Sequence, residues 1–134
     1  MNYNENSISQ KWINGEISES TIDWCKKFGE FLASKRDGKK DSELKTNQLR
    51  KFFGDVKRMQ AKGFIPSEFI LLKPQLAYAV GKTRNRENKI KEFYAVMSGA
   101  ISKVQSAQQF DNFIKIFEAI VAYHKAYEEN SELM

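Results

Sequence analysis

The stretch 46–60, TNQLRKFFGDVKRMQ, holds the residues best suited to chemistry with another molecule: Arg50, Lys51, Lys57 and Arg58, with Lys62 following. At about 100° per residue, Leu49, Phe52, Phe53, Val56 and Met59 share one arc of a helix, and the five cations lie opposite. Gly54 and Ala61 fall between two cationic rows. A glycine inside a helix costs about 1 kcal/mol relative to alanine, so its presence asks for a reason. Small residues between charged walls would let a sugar–phosphate backbone lie close to the helix. The competing reason is close approach of another helix, with the cations merely solvated. Further along, Lys73 and Tyr78, then Lys82, Arg84 and Arg86 of the connector KTRNRENK, extend the basic supply. Tyr78 either stacks on a base or belongs to the core of LAYAV. Arginines on a connector pair with phosphates at an ordering cost.

Catalytic chemistry finds no such support. The GKT at 81–83 has leucine at position 76, where a phosphate-binding P-loop needs glycine, and it does not follow a strand. Cys25 and His124 are the only cysteine and histidine, and both fall on apolar helical arcs. A packed or interface histidine is the expected reading, and a Cys–His nucleophile is not. One histidine and one cysteine do not make a tetrahedral metal site, and the carboxylates form no pair on one face. No catalytic residue, metal or cofactor is expected.

The elements that must position the cations follow from composition and periodicity. A chain of 134 residues is one domain. Two prolines and seven glycines leave little room for turns, so a β-rich fold is excluded. The lone cysteine rules out an internal disulfide and suits a reducing cytoplasm. The first residues have no signal-peptide pattern, and no run of 18 apolar residues offers a membrane span. The net charge is +5. Residues 1–44 carry a net −1, residues 45–91 a net +9 and residues 92–134 a net −3. A basic middle third points to a polyanion, with nucleic acid first among candidates.

The expected fold is an all-α, single-domain bundle of about five helices. Residues 1–17 read as a polar, flexible lead. A first helix, capped by Ser18, buries Cys25, Phe28 and Leu32 beside Trp24 and Phe31, and ends near Lys35. The second runs from a Thr46 cap to Lys62 and stops at Gly63. A third spans Pro66–Val80 with Gly81 past its end, kinked or restarted at Pro74. The fourth runs from about Asn88 to Gln105 and the fifth from about Gln109 to Tyr127. Apolar residues cover more than half of the fifth helix, well beyond a one-sided stripe. Its phenylalanines are expected at the centre of the bundle. Its aromatic end, Tyr123, His124 and Tyr127, is expected at a contact with a neighbouring subunit.

Three stretches in order, TNQLRKFF (46–53), LKPQLAYAVGK (72–82) and FIKIFEAIVAYHKAY (113–127), resemble the small subunit of type III-A CRISPR effector complexes, the inner-filament protein of the Csm group. The resemblance covers residues 46–127 and implies a helical bundle without nuclease activity, acting in antiviral defence. It further implies copies stacked head to tail beside backbone subunits that hold guide RNA, lining the channel where target RNA pairs with the guide. Target cleavage would belong to the backbone subunits, and cyclic oligoadenylate synthesis and DNase activity to the large subunit. Arg50 and Lys51 match the family's T-x-Q-[IL]-R-K pattern and Lys82 its G-[KR] pattern, so these three are the first candidates for phosphate contact. Where that pattern often has arginine, Lys82 keeps the charge but not the bidentate geometry. Sequence-independent contact suits a guide-directed system, in which base pairing reads the sequence.

Two other readings compete: a helical DNA-binding regulator using residues 46–62, and a helical protein-binding adaptor. The first is disfavoured because the basic face lacks the Asn, Gln, Ser or Thr that a recognition helix offers to base edges.

Overall fold

Helix α7 (Ala107–Asn130) is apolar around most of its girth, and the rest of the chain packs around it. The structure, a computed structural model, describes residues 2–130. Around α7 stand α1 (Gln10–Ile13), α2 (Glu19–Ala33), α3 (Thr46–Lys62), α4 (Pro66–Phe69), α5 (Leu72–Lys82) and α6 (Ile90–Ser102). Five are long helices and α1 and α4 are single turns. No strand occurs among the described residues, and the all-α expectation holds.

Helix α2 runs parallel to α7. The Cys25 thiol faces the Ile116 carbonyl at 3.8 Å, and one turn later Gly29 meets Ile120, Tyr123 and His124. A Cβ on Gly29 would lie 2.7 Å from the Ile120 carbonyl oxygen and 2.9 Å from the His124 nitrogen. Only glycine lets the two backbones come so close. Helix α3 runs the other way, with Thr46 bonded to Glu128, Phe53 against Phe117 at 5.2 Å, and Gln60 reaching Asp111 at 3.4 Å. Phe110, Phe113 and Phe117 are buried at the centre, as expected for α7.

Several boundaries differ from the sequence reading, each for a local reason. Ser18 does cap α2, its N–H donating to Thr21 Oγ1 at 3.1 Å. Thr46, however, is the first helical residue rather than the cap of α3: Lys45 holds the extended cap position, and its N–H donates to Gln48 Oε1. The Thr46 hydroxyl is taken by Glu128 instead. Gly63 ends α3 with φ +95°, which suits glycine. The third expected helix splits at Ile70–Leu71, so Pro74 falls inside the first turn of α5, where its missing N–H costs nothing. Gly81 is helical, and Thr83 is the C-cap, its hydroxyl donating to the Ala79 carbonyl at 3.0 Å. Helix α6 starts at Ile90, whose N–H bonds the Asn88 side chain.

The N-terminal segment is packed where its polar composition had suggested a loose lead. Tyr3, Ile8 and Ile13 are buried, and Tyr3 sits among Trp24, Phe28 and Phe31. Gly99 of α6 makes the room: a Cβ there would fall 2.0 Å from the Glu5 carbonyl oxygen. Lys103 then donates to the Glu5 and Ile8 carbonyls at 2.9 and 2.7 Å.

Gly29→Ala should destabilise the fold by about 1–3 kcal/mol through overpacking against α7 backbone, read as a lower urea midpoint. An unchanged midpoint would show that α2 and α7 can part without cost.

Candidate nucleic-acid interface

Two helices and one connector place the cations that sequence singled out. Helix α3 buries Leu49, Phe52 and Val56 and leaves Arg50, Lys51, Lys57, Arg58 and Lys62 exposed. Gly54 lies among them, and a Cβ there would meet only Arg58 Nη1, at an ordinary 3.6 Å. No other helix of the chain needs that glycine, so the close-approach reading fails within the fold.

The exposed cations divide between two sides of α3. Lys51 faces a groove of about 1000 Å³ between α3 and α5, which Lys82 and Arg84 also line. Tyr78 stands on its α5 wall with 69% of its surface exposed, so it is not core. The Lys82 ammonium lies 5.6 Å from the Tyr78 ring centroid. Arg50 faces a separate cleft of about 630 Å³ with Lys35, Glu43, Tyr127 and Glu128. Lys57 lies 6.0 Å from the Phe53 ring centroid, and Arg58 is paired with Asp55. Lys73 is half-buried and Lys62 is exposed at the end of α3.

The electrostatics of the groove favour an anion. Four cations line it, Lys45, Lys51, Lys82 and Arg84, against two carboxylates, Asp41 and Asp55. Both carboxylates are already engaged, Asp41 by Lys45 at 3.0 Å and Asp55 by Arg58. The hydrogen bond and charge of Lys45 hold Asp41 below the usual carboxylate range, and hydrogen bonds from Lys45 to Glu43 and Asp41 hold Lys45 above the lysine range. Lys51, Lys82 and Arg84 have no ion-pair partner among the described residues.

The connector 83–89 is fastened from beneath by residues that sequence reading took for part of a basic run. The Asn85 amide donates to the Lys40 carbonyl at 3.0 Å, and the Asn88 amide to those of Asp41 and Glu43. Lys89 is 3% exposed and donates to the Phe31 and Ser34 carbonyls and the Ser34 hydroxyl, each at 2.7 Å. It thereby caps the C-terminus of α2 with a cation, where the helix dipole favours one. Burial and the Arg36 charge pull its pKa below the usual lysine value. Arg36 pairs with Glu87 and Glu92 beside it. Arg84 therefore projects from an anchored loop into the groove. Arg86 is exposed outside it. Only the alternation of Asn with basic residues hinted at this fastening.

The aromatic end of α7 divides as well. Tyr123 and Tyr127 are half-buried. His124 is 1% exposed, and its Nε2 lies 2.8 Å from the Leu44 carbonyl. It is an internal tie between α7 and the start of α3, and the expectation of a subunit contact at His124 is corrected. A carbonyl only accepts, so Nε2 carries the proton. Cys25 is buried with its thiol pushed up to about 12 by desolvation, facing a backbone carbonyl. The thiol and imidazole have separate partners, which gives neither a route to nucleophilic chemistry. No group of three or more metal-ligating residues converges among the described residues.

Two substitutions probe this geometry. Gly54→Ala should raise stability by up to about 1 kcal/mol, since helix propensity improves and nothing is crowded; a lower melting temperature would contradict it. Lys89→Met should lose about 1.5–3 kcal/mol with its charged hydrogen bonds, and an unchanged denaturation curve would remove Lys89 from the anchoring of the connector.

The family model described as Csm2 Type III-A matches residues 19–130. No curated protein and no solved structure is significantly similar to the chain.

Proposed function

The chain belongs to the Csm2 Type III-A family, the small subunits of type III-A Csm complexes, and from that premise we propose a non-catalytic, RNA-contacting structural role. It binds the backbone of target RNA, free or paired with guide, without reading its sequence. Its copies stack beside the backbone and large subunits in the cytoplasm, contributing no reaction of their own. The observation that carries this reading is the groove of α3 and α5, where Lys51, Lys82 and Arg84 come together from distant points of the chain. Unpaired Lys and Arg suit phosphate, whose attraction for them does not depend on sequence. Arg50, Lys57 and Lys62 extend the cationic surface around α3, Arg50 beside Tyr127 and Glu128 of α7.

The burial of Cys25 and the internal bond of His124 support the absence of catalysis. No helix among the described residues is long and apolar enough to cross a membrane.

The test is the salt dependence of RNA binding. Lys51→Ala combined with Lys82→Ala should weaken binding to single-stranded RNAs of unrelated sequence by similar factors. It should also make the slope of log K against log salt shallower by about 1.4, at ~0.7 per phosphate contact for a single strand. Strong preference for one DNA duplex at physiological salt would overturn the reading in favour of a DNA-binding regulator. Gly54→Ala adds a narrower check: if its RNA binding matches the parent chain, the glycine is not part of the contact.

A further inference from the structure

Helix α5 is apolar on two sides, and the fold uses only one. Leu72 and Leu76 are buried toward the core. Leu71, Pro74 and Tyr78 are exposed and lie three and four residues apart, which puts them on one helix face. That face is a wall of the α3–α5 groove. Leu71 is 52% and Tyr78 69% exposed, among the largest apolar exposures in the chain. Tyr78 has no hydrogen bond to its hydroxyl among the described residues and contributes little to the core. The facing wall, from α3, carries Asn47, Gln48, Lys51 and Asp55 at its surface, with the edge of the largely buried Phe52 between them. An aromatic wall opposite a cationic one is what a nucleotide with a free base requires.

We infer that this groove receives an unpaired ribonucleotide, its base lying on the Tyr78 ring and its phosphates on Lys51, Lys82 and Arg84. The inference rests on the RNA reading above and adds to it the strandedness of the RNA. Lys82 Nζ is 5.6 Å from the ring centroid, so stacking surface and cation serve one nucleotide. A base inside an A-form duplex keeps its faces against its neighbours and offers none to a tyrosine. Four of the groove's five amides are already engaged: Asn47 accepts from the Gln48 N–H, Gln48 accepts from the Lys45 N–H, Asn85 donates to the Lys40 carbonyl, and Asn88 donates to the Asp41 and Glu43 carbonyls. Gln75 is left to meet a base edge. One free amide is too little for a sequence code, whereas a ring face accepts any base. A partner protein helix fits less well, because the groove carries a surplus of cations, four against two carboxylates that are already paired.

The test uses the full chain, alone and in the assembled type III-A complex. The probes are a single-stranded RNA and the same RNA fully paired. Tyr78→Ala should weaken the single strand about 5- to 150-fold, the range that loss of one base–aromatic stack gives, and change duplex affinity less than about twofold. Tyr78→Phe should bind like the parent chain. With 4-thiouridine in the single strand, crosslinks should map to α5 and vanish in Tyr78→Ala. An unchanged melting temperature, expected for so exposed a residue, excludes unfolding as the cause. Equal weakening of both RNAs overturns the stacking. So does unchanged binding in Tyr78→Ala while the Lys51/Lys82 double substitution weakens both, and then the RNA reading survives. Should that double substitution also leave RNA binding untouched, both readings fall. Loss of a protein subunit from the complex, with RNA affinity intact, would make the groove a protein-docking surface instead.

Discussion

The approach of α2 to α7 at Gly29 is the constraint on which the other placements depend. Backbone atoms of α7 occupy the volume that any larger residue would need, so the two helices meet through main chain rather than through interleaved side chains. With α2 seated there, its C-terminus reaches Lys89, and the loop after it brings Leu44 to the His124 imidazole. Those two polar ties fix where α3 starts and where the 83–89 connector lies. The walls of the basic groove are thus set by α2 and α7, which contribute no residue to its lining.

A division of labour among lysines follows. Lys89 and Lys103 spend their ammonium groups on backbone carbonyls inside the fold, and burial pulls both below the usual lysine pKa. Lys51 and Lys82 are exposed, without an ion-pair partner among the described residues, and open to a partner. A single count of basic residues merges these two populations. The net +9 of residues 45–91 therefore overstates the charge on offer, because Lys89 is internal and Lys45 is committed to Asp41 and Glu43, which lie outside that stretch.

The helices themselves were legible, since burial of a stripe imposes a period of 3.6 that α2, α3, α6 and α7 all show. The cationic face of α3 was legible for the same reason. The glycines were not. Gly54 stood out because it interrupts a good helical pattern, yet it touches almost nothing; Gly29 and Gly99, which lie against foreign backbone, look ordinary in sequence. Close approach depends on what arrives from elsewhere in the chain, and single-sequence periodicity carries no record of that. The groove was hidden likewise: Lys51 and Lys82 were each legible, but α3 and α5 come to share its walls only in the folded chain. His124 was placed correctly on an apolar arc and then assigned outward, because a helical wheel does not say which arc of an all-round apolar helix faces the chain's own loops.

The parallel pairing of α2 with α7 also bears on how the chain reaches this state. The Cys25 contact with Ile116 spans 91 residues, and the backbone that confines Gly29 lies in the last helix. During synthesis α2 leaves the ribosome with its apolar stripe uncovered, and waits for nearly the whole chain before its seat exists. Closing so long a loop slows folding more than it lowers stability. In that interval Cys25, Phe28 and Leu32 are open to other nascent chains, and the arrival of α7 is what closes that exposure.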